Sequence, residues 1–452
     1  MSSKKKGHLL ICTYYFPPIG TPRSYRWVEF VKHLSSKNWD IDVLTIYSFP
    51  THPNYDYTLL KDIPEGVRVF RTYPGFMHHL SSLLLRTTIN KRNYNPATTL
   101  FESFTRKSGK LLFRLFESTL RPIFIPDETI TWLPFALIKA RKLIKENKYT
   151  LTISSGFPFT CHILGFYLKQ LIRETPWITD YGDPWVHNPS FPLPKWRSYI
   201  DKEIESRIVR SSNKIIVTTD KTKEHYLKLY PFLKPEKIEV IPQGFSKKEF
   251  MEAKPETTER FRIVYTGIFY RDAEPFAFFK ALNLIKNTCK ELEVIIAGNI
   301  PNEIYKSYIE KSNLSEVVYF VGFVSKQRAI SLQKGASVLL LLGHGGGLQI
   351  PGKTYEYIAA QRPILSIKMD ENDIASTIIE RLRRGISVKN DPKHISEAIA
   401  YLYSLWKKKE IERNFNLEQV DEFCWDKLAD KLEETILEII EHTNQPPSRQ
   451  SI

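Results

Sequence analysis

Apolar residues in this chain alternate between two patterns: short continuous runs, and longer stretches in which they recur every third or fourth position. The runs Leu9–Thr13, Ile41–Ile46, Val67–Arg71, Leu151–Ser155, Trp177–Asp180, Ile215–Thr218 and Ile238–Ile241 predict β-strands. So do Arg262–Thr266, Glu293–Ala297, Val317–Val321 and Val338–Leu342, with a further strand starting at Ile364. Helical spacing begins near Ser24 (Trp27, Val28, Phe30, Val31, Leu34) and returns in the segment containing His162. It also marks Asp201–Val209, Pro275–Ile285 and the stretch from about Gly352 to Ala360. Strands that alternate with helices predict an α/β fold with parallel sheets.

The pattern restarts once. Between Ser246 and Glu259 the chain is polar and charged with no periodicity, which predicts a domain boundary there. The organisation expected is a domain over residues 1–245, a second α/β domain over 246–416, and a terminal segment 417–452. That last segment carries a helix Glu418–Glu441 with Trp425, Leu428, Leu432, Ile436 and Ile440 on one stripe, followed by a polar tail. No repeat of solenoid period is present, and 452 residues exceed what one ordinary core holds.

Candidate chemistry concentrates in Ser337–Leu365: a buried strand, a glycine-rich loop over Gly343–Gly347, a helix from Gly352, and another strand. Strand, glycine loop and helix start together make an anion site, because unpaired backbone N–H groups face the ligand. Two readings fit. Gly347, Gly352, Lys353 and Thr354 satisfy the P-loop pattern, with Lys353 on the phosphates and Thr354 on magnesium. Against it, Pro351 has no N–H to offer, and no strand elsewhere ends in a clear metal-holding Asp. The second reading is a nucleotide-sugar site. The helix start at Gly352 neutralises a diphosphate, Glu356 one turn on accepts ribose hydroxyls, and Arg271 beyond Gly267 joins Lys353 in stabilising the leaving group. A solvent-facing helical Glu356 is the plain alternative.

Composition adds a constraint on partners. Hydrophobic residues make up 42% and charged residues 25%, as in a globular protein, and no apolar run reaches bilayer-spanning length. The basic N-terminus leads into an apolar run that stops at Pro17-Pro18, which reads as a first strand rather than a signal peptide. Cys12, Cys161, Cys289 and Cys424 are scattered, which argues against zinc or a disulfide scaffold and fits a reducing cytosol. A formal charge of +15 implies an anionic partner. Residues 75–126 have little β-character and mix leucines and phenylalanines with many Lys and Arg. Such an insert suits an anionic membrane surface, or else a pair of helices on the sheet with a solvated basic face. In the first loop, Gly20 lets backbone approach a ligand, and Arg23 and Arg26 suit phosphate or carboxylate unless they are simply surface arginines after a turn.

Six segments in order then carry a resemblance over nearly the whole chain. They are Pro17–Arg23 (PPIGTPR), Ser154–His162 (SSGFPFTCH), Pro176–Trp185 (PWITDYGDPW), Val240–Phe245, Tyr265–Gly267 and Ile350–Tyr357. Together they resemble the motifs of bacterial family-4 retaining glycosyltransferases. The resemblance implies a GT-B fold: two Rossmann-like domains facing across a cleft, the C-terminal one holding the donor and the last helix crossing back to the N-terminal domain. It implies sugar transfer with retention and without a metal ion or other cofactor. His162 would lie near the transferred sugar, Gly20 above the diphosphate, Phe323 and Val324 at the base, and Arg23 and Asp183 toward the acceptor. The partners implied are a nucleoside-diphosphate sugar and a glycan or polyprenyl-linked acceptor in polysaccharide synthesis, with no nucleic acid. The place of action would be cytoplasmic, at the inner face of the cell membrane.

The sequence departs from the family pattern at three points. Leu348 stands where a first glutamate is common ahead of Glu356. Only Arg271 remains of the cations that usually follow the strand-end Gly267, and Gly182 stands where an arginine is common. A P-loop NTPase and a GT-B protein that binds without catalysing are the rival expectations.

Overall fold

The computed structural model describes residues 5–50, 52, 54–78, 121–188, 193–269, 274–298, 302–343 and 346–444. Most of the basic insert, and Arg271, lie outside them. The chain divides into two compact units, Met1–Ile241 with Ala429–Ile452, and Pro242–Leu428.

The first unit runs β1 (Gly7–Thr13), α1 (Pro22–Ser36), β2 (Trp39–Ile46), β3 (Arg68–Thr72), α2 (Leu133–Glu146), β4 (Leu151–Gly156) and α3 (Thr160–Leu171). It continues with β5 (Trp177–Tyr181), α4 (Lys195–Ser211), β6 (Lys214–Val217), α5 (Asp220–Leu229) and β7 (Ile238–Val240). The pairings between these strands are all parallel, in the order β3-β2-β1-β4-β5-β6-β7. Strands β4 and β5 are buried at every position, which is why they read as unbroken runs rather than alternating ones: helices cover both faces. The order reverses between β1 and β4, which pair with Cys12 opposite Ser154.

The second unit holds α6 (Lys247–Glu252), β8 (Phe261–Thr266), α7 (Phe276–Ile285), β9 (Leu292–Ala297), α8 (Asn302–Lys311), β10 (Val318–Gly322) and α9 (Lys326–Lys334). Then come β11 (Val338–Leu342), α10 (Gly352–Ala359), β12 (Ile364–Lys368), α11 (Ile374–Arg381), β13 (Gly385–Lys389) and α12 (Pro392–Lys407). The described sheet is again parallel, ordered β10-β9-β8-β11-β12-β13, and reverses between β8 and β11. Both sheets are doubly wound, so the α/β expectation holds in each unit.

Two local expectations are corrected. The polar stretch Ser246–Glu259 is not featureless: it contains α6, started by the Ser246 hydroxyl accepting the Glu249 N–H at 3.4 Å. The final helix, α13, spans Trp425–Asn444 and does not begin at Glu418. The backbone ahead of it is used differently, since Phe245 N–H donates to Phe423 O and Trp425 N–H to Phe245 O at 3.1 Å each. Asp421–Phe423 forms a single 3-10 turn, and the extended Cys424, bridged to Phe245, separates it from the helix that follows. The expected stripe is real beyond that point, with Trp425, Leu428, Leu432 and Ile436 buried. From Ala429 onward α13 belongs to the first unit, where Glu433 accepts from Lys6 and from the Trp39 indole at 2.8 Å each.

Candidate functional site

In open parallel sheets, ligands bind outside the carboxyl ends of the strands where the order reverses. In the second unit that place is the end of β8 and β11. Strand β8 ends at Thr266 and turns through Gly267 at φ +131°, a conformation that favours glycine. A side chain at 267 would also collide with the Lys353 ammonium. Lys353 comes from the first turn of α10, donates to the Thr266 carbonyl oxygen, and sits 4.4 Å from the Tyr265 ring centroid. Burial pushes its ammonium down to about 8 against the pull of Glu356. The helix start beside it is open. Pro351 makes no side-chain cap, no acidic residue occupies the first turn, and a Cβ on Gly352 would meet nothing within 4 Å beyond its own turn. Unpaired N–H groups and a half-buried cation therefore converge where the strand order reverses, which is what a diphosphate requires.

The rest of α10 is pinned to the same strand end. Thr266 N–H donates to the Tyr357 hydroxyl at 2.9 Å. Gln333 of α9, fully buried, donates to Thr266 Oγ1 at 2.9 Å and to Glu356 Oε2 at 3.2 Å. Glu356 is thus oriented by a neighbour rather than waving in solvent. Phe323 follows β10 and stands 73% exposed, while Val324 packs against the core. Gly347 lies in the β11–α10 loop at φ +59°.

The P-loop letters lack P-loop geometry. Thr354, whose hydroxyl would hold magnesium, is completely buried, and its N–H bonds Pro351 O at 2.9 Å. Gly346 N–H, which would cradle phosphate, is spent on Asp370 Oδ2 at 2.6 Å. The Thr354 hydroxyl is buried without a hydrogen-bond partner, so it is not presented at an open phosphate loop.

In the first unit the reversal lies between β1 and β4, and His162, Gly20 and Arg23 gather around it. Gly20 donates its N–H to Asn54 O at 2.7 Å, and the Thr21 hydroxyl caps α1. Arg23 and Arg26, one turn into α1, are not surface arginines. Both reach Asp180 on β5: Arg23 Nη1 at 3.0 Å, Arg26 Nε and Nη2 at 3.2 and 3.1 Å, with the Trp27 indole adding 3.0 Å. Burial alone would raise the Asp180 carboxyl, but the charges of Arg26 and Arg23 hold it below the usual carboxylate range. Asp183 is half-buried in the turn that follows.

His162 is fully buried on α3. Its Nδ1 meets Ser154 Oγ at 2.9 Å, and Ser154 accepts from the Trp177 indole at 3.0 Å. The serine proton is then available to Nδ1, so the neutral ring carries its hydrogen on Nε2. Burial holds the imidazole at about 3, uncharged at any ordinary pH. Nε2 has no hydrogen-bond partner and points at Gly156, where a Cβ would sit 2.6 Å from it. The N-terminus of α3 is already occupied: Asp127 accepts the N–H groups of Phe159 and Thr160 at 2.7 and 3.2 Å. The anion-receptive helix start among the candidates is therefore that of α10.

Residues 100–248 match the family model described as Glycosyltransferase Family 4, and residues 260–404 match Glycosyl transferases group 1. Both halves carry glycosyltransferase domains. Among solved structures, this chain is similar to sucrose-phosphate synthase from Thermosynechococcus elongatus, at 14% identity and TM-score 0.65 over 97% of this chain and 100% of that one. A glycosyltransferase from Rickettsia africae gives 14% and 0.65 over 98% and 100%, and Anabaena HepE in complex with UDP and glucose gives 12% and 0.61 over 96% and 100%. At such identities the likeness establishes the GT-B fold. No curated protein matches this chain by sequence.

One departure from the expected motif now has a physical account. A Cβ at position 182 would overlap the Arg23 guanidinium, so no side chain fits there while Arg23 holds its place on Asp180. Gly182→Ala is expected to lose about 1–3 kcal/mol of stability by overpacking. The loss should shrink in an Arg23→Ala background, as measured by urea unfolding; equal losses in both backgrounds would place the clash elsewhere. Asp180, Gln333 and Tyr357 were not singled out by sequence. Asp180 alone left a signal, a carboxylate inside an otherwise apolar strand.

Proposed function

We propose that this protein transfers a sugar from a nucleoside-diphosphate donor to a cell-surface polysaccharide or lipid-linked precursor, with retention at the anomeric carbon and without a metal ion. The observation that carries the reading is the uncapped start of α10 with Lys353 beside Gly267 at the sheet reversal. The α10 N–H groups and Lys353 neutralise the diphosphate and stabilise it as it leaves. Glu356, oriented by Gln333, accepts hydroxyls of the ribose or sugar, and exposed Phe323 offers a face to the base. Arg271, outside the described residues, follows Gly267 closely enough in sequence to add a second cation.

In the first unit, Gly20 is assigned to the diphosphate, His162 to the transferred sugar, and Arg23 and Asp183 to the acceptor. Arg23 acts there through the Asp180 pair rather than as a free cation. Neutral His162 offers an Nε2 hydrogen rather than a base. UDP and glucose bound to Anabaena HepE support a nucleotide-sugar donor here. The site of action is the cytoplasm, at the inner face of the cell membrane; no described helix is long and apolar enough to cross a membrane.

Thermal unfolding against UDP-, GDP- and ADP-sugars in EDTA tests the reading. A donor at a hundred times its dissociation constant adds about 2.7 kcal/mol, a rise of a few degrees in Tm. Stabilisation by none of these donors, or by ATP only when magnesium is present, would refute it.

A further inference from the structure

Helix α2 of the first unit turns an unexpected face to solvent. Ala136, Ala140 and Leu143 are buried and Leu137 and Ile144 pack beside them, which accounts for its core side. On the opposite stripe, where polar residues belong, Phe135 is 42% and Ile138 70% exposed. Tyr73, 39% exposed, meets Phe135 edge to ring at 5.0 Å between centroids. Phe76, 61% exposed, follows Gly75, whose backbone is pressed so closely on Thr131 at the entry to α2 that a side chain there would collide with it. The stripe then continues as Lys142 and Lys145, with Arg141 alongside, all exposed; Glu146, 3.7 Å from Lys142, is the acid beside them. An apolar patch joined to a basic one on a single helix face has two requirements at once, hydrocarbon and negative charge.

We propose that this face of α2 seats the protein on an anionic lipid bilayer. Phe135, Ile138, Tyr73 and Phe76 enter the headgroup layer while Arg141, Lys142 and Lys145 meet lipid phosphates. A soluble polyanion would leave the aromatic and aliphatic side chains in water. A second copy on the same face would set two basic rims against each other. The surface consists of described residues, with Phe76 at the start of the segment 75–126 and the rest outside it. It does not depend on sugar transfer, so its test and that of the donor site fail separately.

The experiment is flotation of the full chain with phosphatidylcholine vesicles, with and without about one third phosphatidylglycerol. Anionic vesicles should be bound at least about tenfold more strongly, and added salt should weaken the binding. Each basic residue near such a surface contributes about fivefold, so Lys142→Glu with Lys145→Glu should lose at least tenfold. Phe135→Ser with Ile138→Ser should lose about as much while keeping the wild-type unfolding midpoint, since both side chains stand in solvent. Wild-type binding to neither vesicle, or unchanged binding by either double variant, would overturn the proposal. So would a midpoint that falls along with binding, because the face would then be covered by this chain. A wild-type dimer that the apolar variant splits without vesicles would assign the face to a second copy.

Discussion

Asparagine at position 180 is expected to destabilise the first unit by about 3–5 kcal/mol, the largest effect of any single replacement considered. Asp180 is completely buried and balances two guanidinium groups, one of them, Arg26, also fully buried. Removing its charge takes the shared counter-charge from two buried guanidinium groups, while the Ile241 carbonyl oxygen still accepts from Arg26 Nη2 at 2.9 Å. The cost is therefore that of unpaired charge, not of one missing hydrogen bond. Equilibrium unfolding in urea reads it, and a loss under about 1 kcal/mol would show that the pair is screened or rearranges. Adding Arg26→Met should restore part of the loss, since an apolar replacement of both partners is tolerated better than a broken pair. The sign with pH follows from the lowered carboxyl. Its contribution is complete above the ordinary value of 3.8 and is lost as pH falls through the lower folded value.

Lys353→Ala should reduce kcat by about a hundredfold to a thousandfold, the usual cost of removing one preorganised group from developing charge. Lys353→Met keeps the packing on Tyr265 and separates charge from stability. Lys353→Arg should not rescue, because a planar guanidinium does not fit between the Thr266 carbonyl and Gly267. The pH behaviour is distinctive. With the free-protein ammonium at about 8, the cation is present below that value and lost above it, so donor affinity should fall as pH rises through about 8. Calorimetric titration with the donor that raises Tm most would measure this. A flat affinity from pH 7 to 9.5 in the wild type, matching that of Lys353→Met, would remove Lys353 from the diphosphate site.

Legibility from sequence followed from what each signal depends on. Buried parallel strands announce themselves because both faces are covered: Val338–Leu342 is five apolar residues and five buried positions. Glycine loops at strand ends were legible for the same local reason, and Gly267, Gly347 and Gly352 lie at the reversal point of their sheet. What stayed hidden was set by distant partners. Arg26 looks like a surface residue of an amphipathic helix until Asp180, 154 positions away, is seen beneath it. Gln333 is one polar residue in a polar helix, and nothing local says that it bridges Thr266 and Glu356. Thr354 fitted a motif by spacing, and only burial revealed which way it faces. The start of α13 was placed too early because a polar stretch can read as an exposed helix or as an extended pairing segment.

The first unit is discontinuous in sequence, and that governs the order in which a new chain can be completed. Its sheet is fully synthesised by Val240, yet Glu433, which receives the Trp39 indole and the Lys6 ammonium, is made only after the whole of Pro242–Leu428. Pro242–Leu428 is contiguous and can close on itself first. During translation the first half must therefore wait, with the surface that α13 will cover still open, until the second half has passed. That interval is when the nascent chain is most exposed to aggregation, and a chaperone that binds apolar surface would act then.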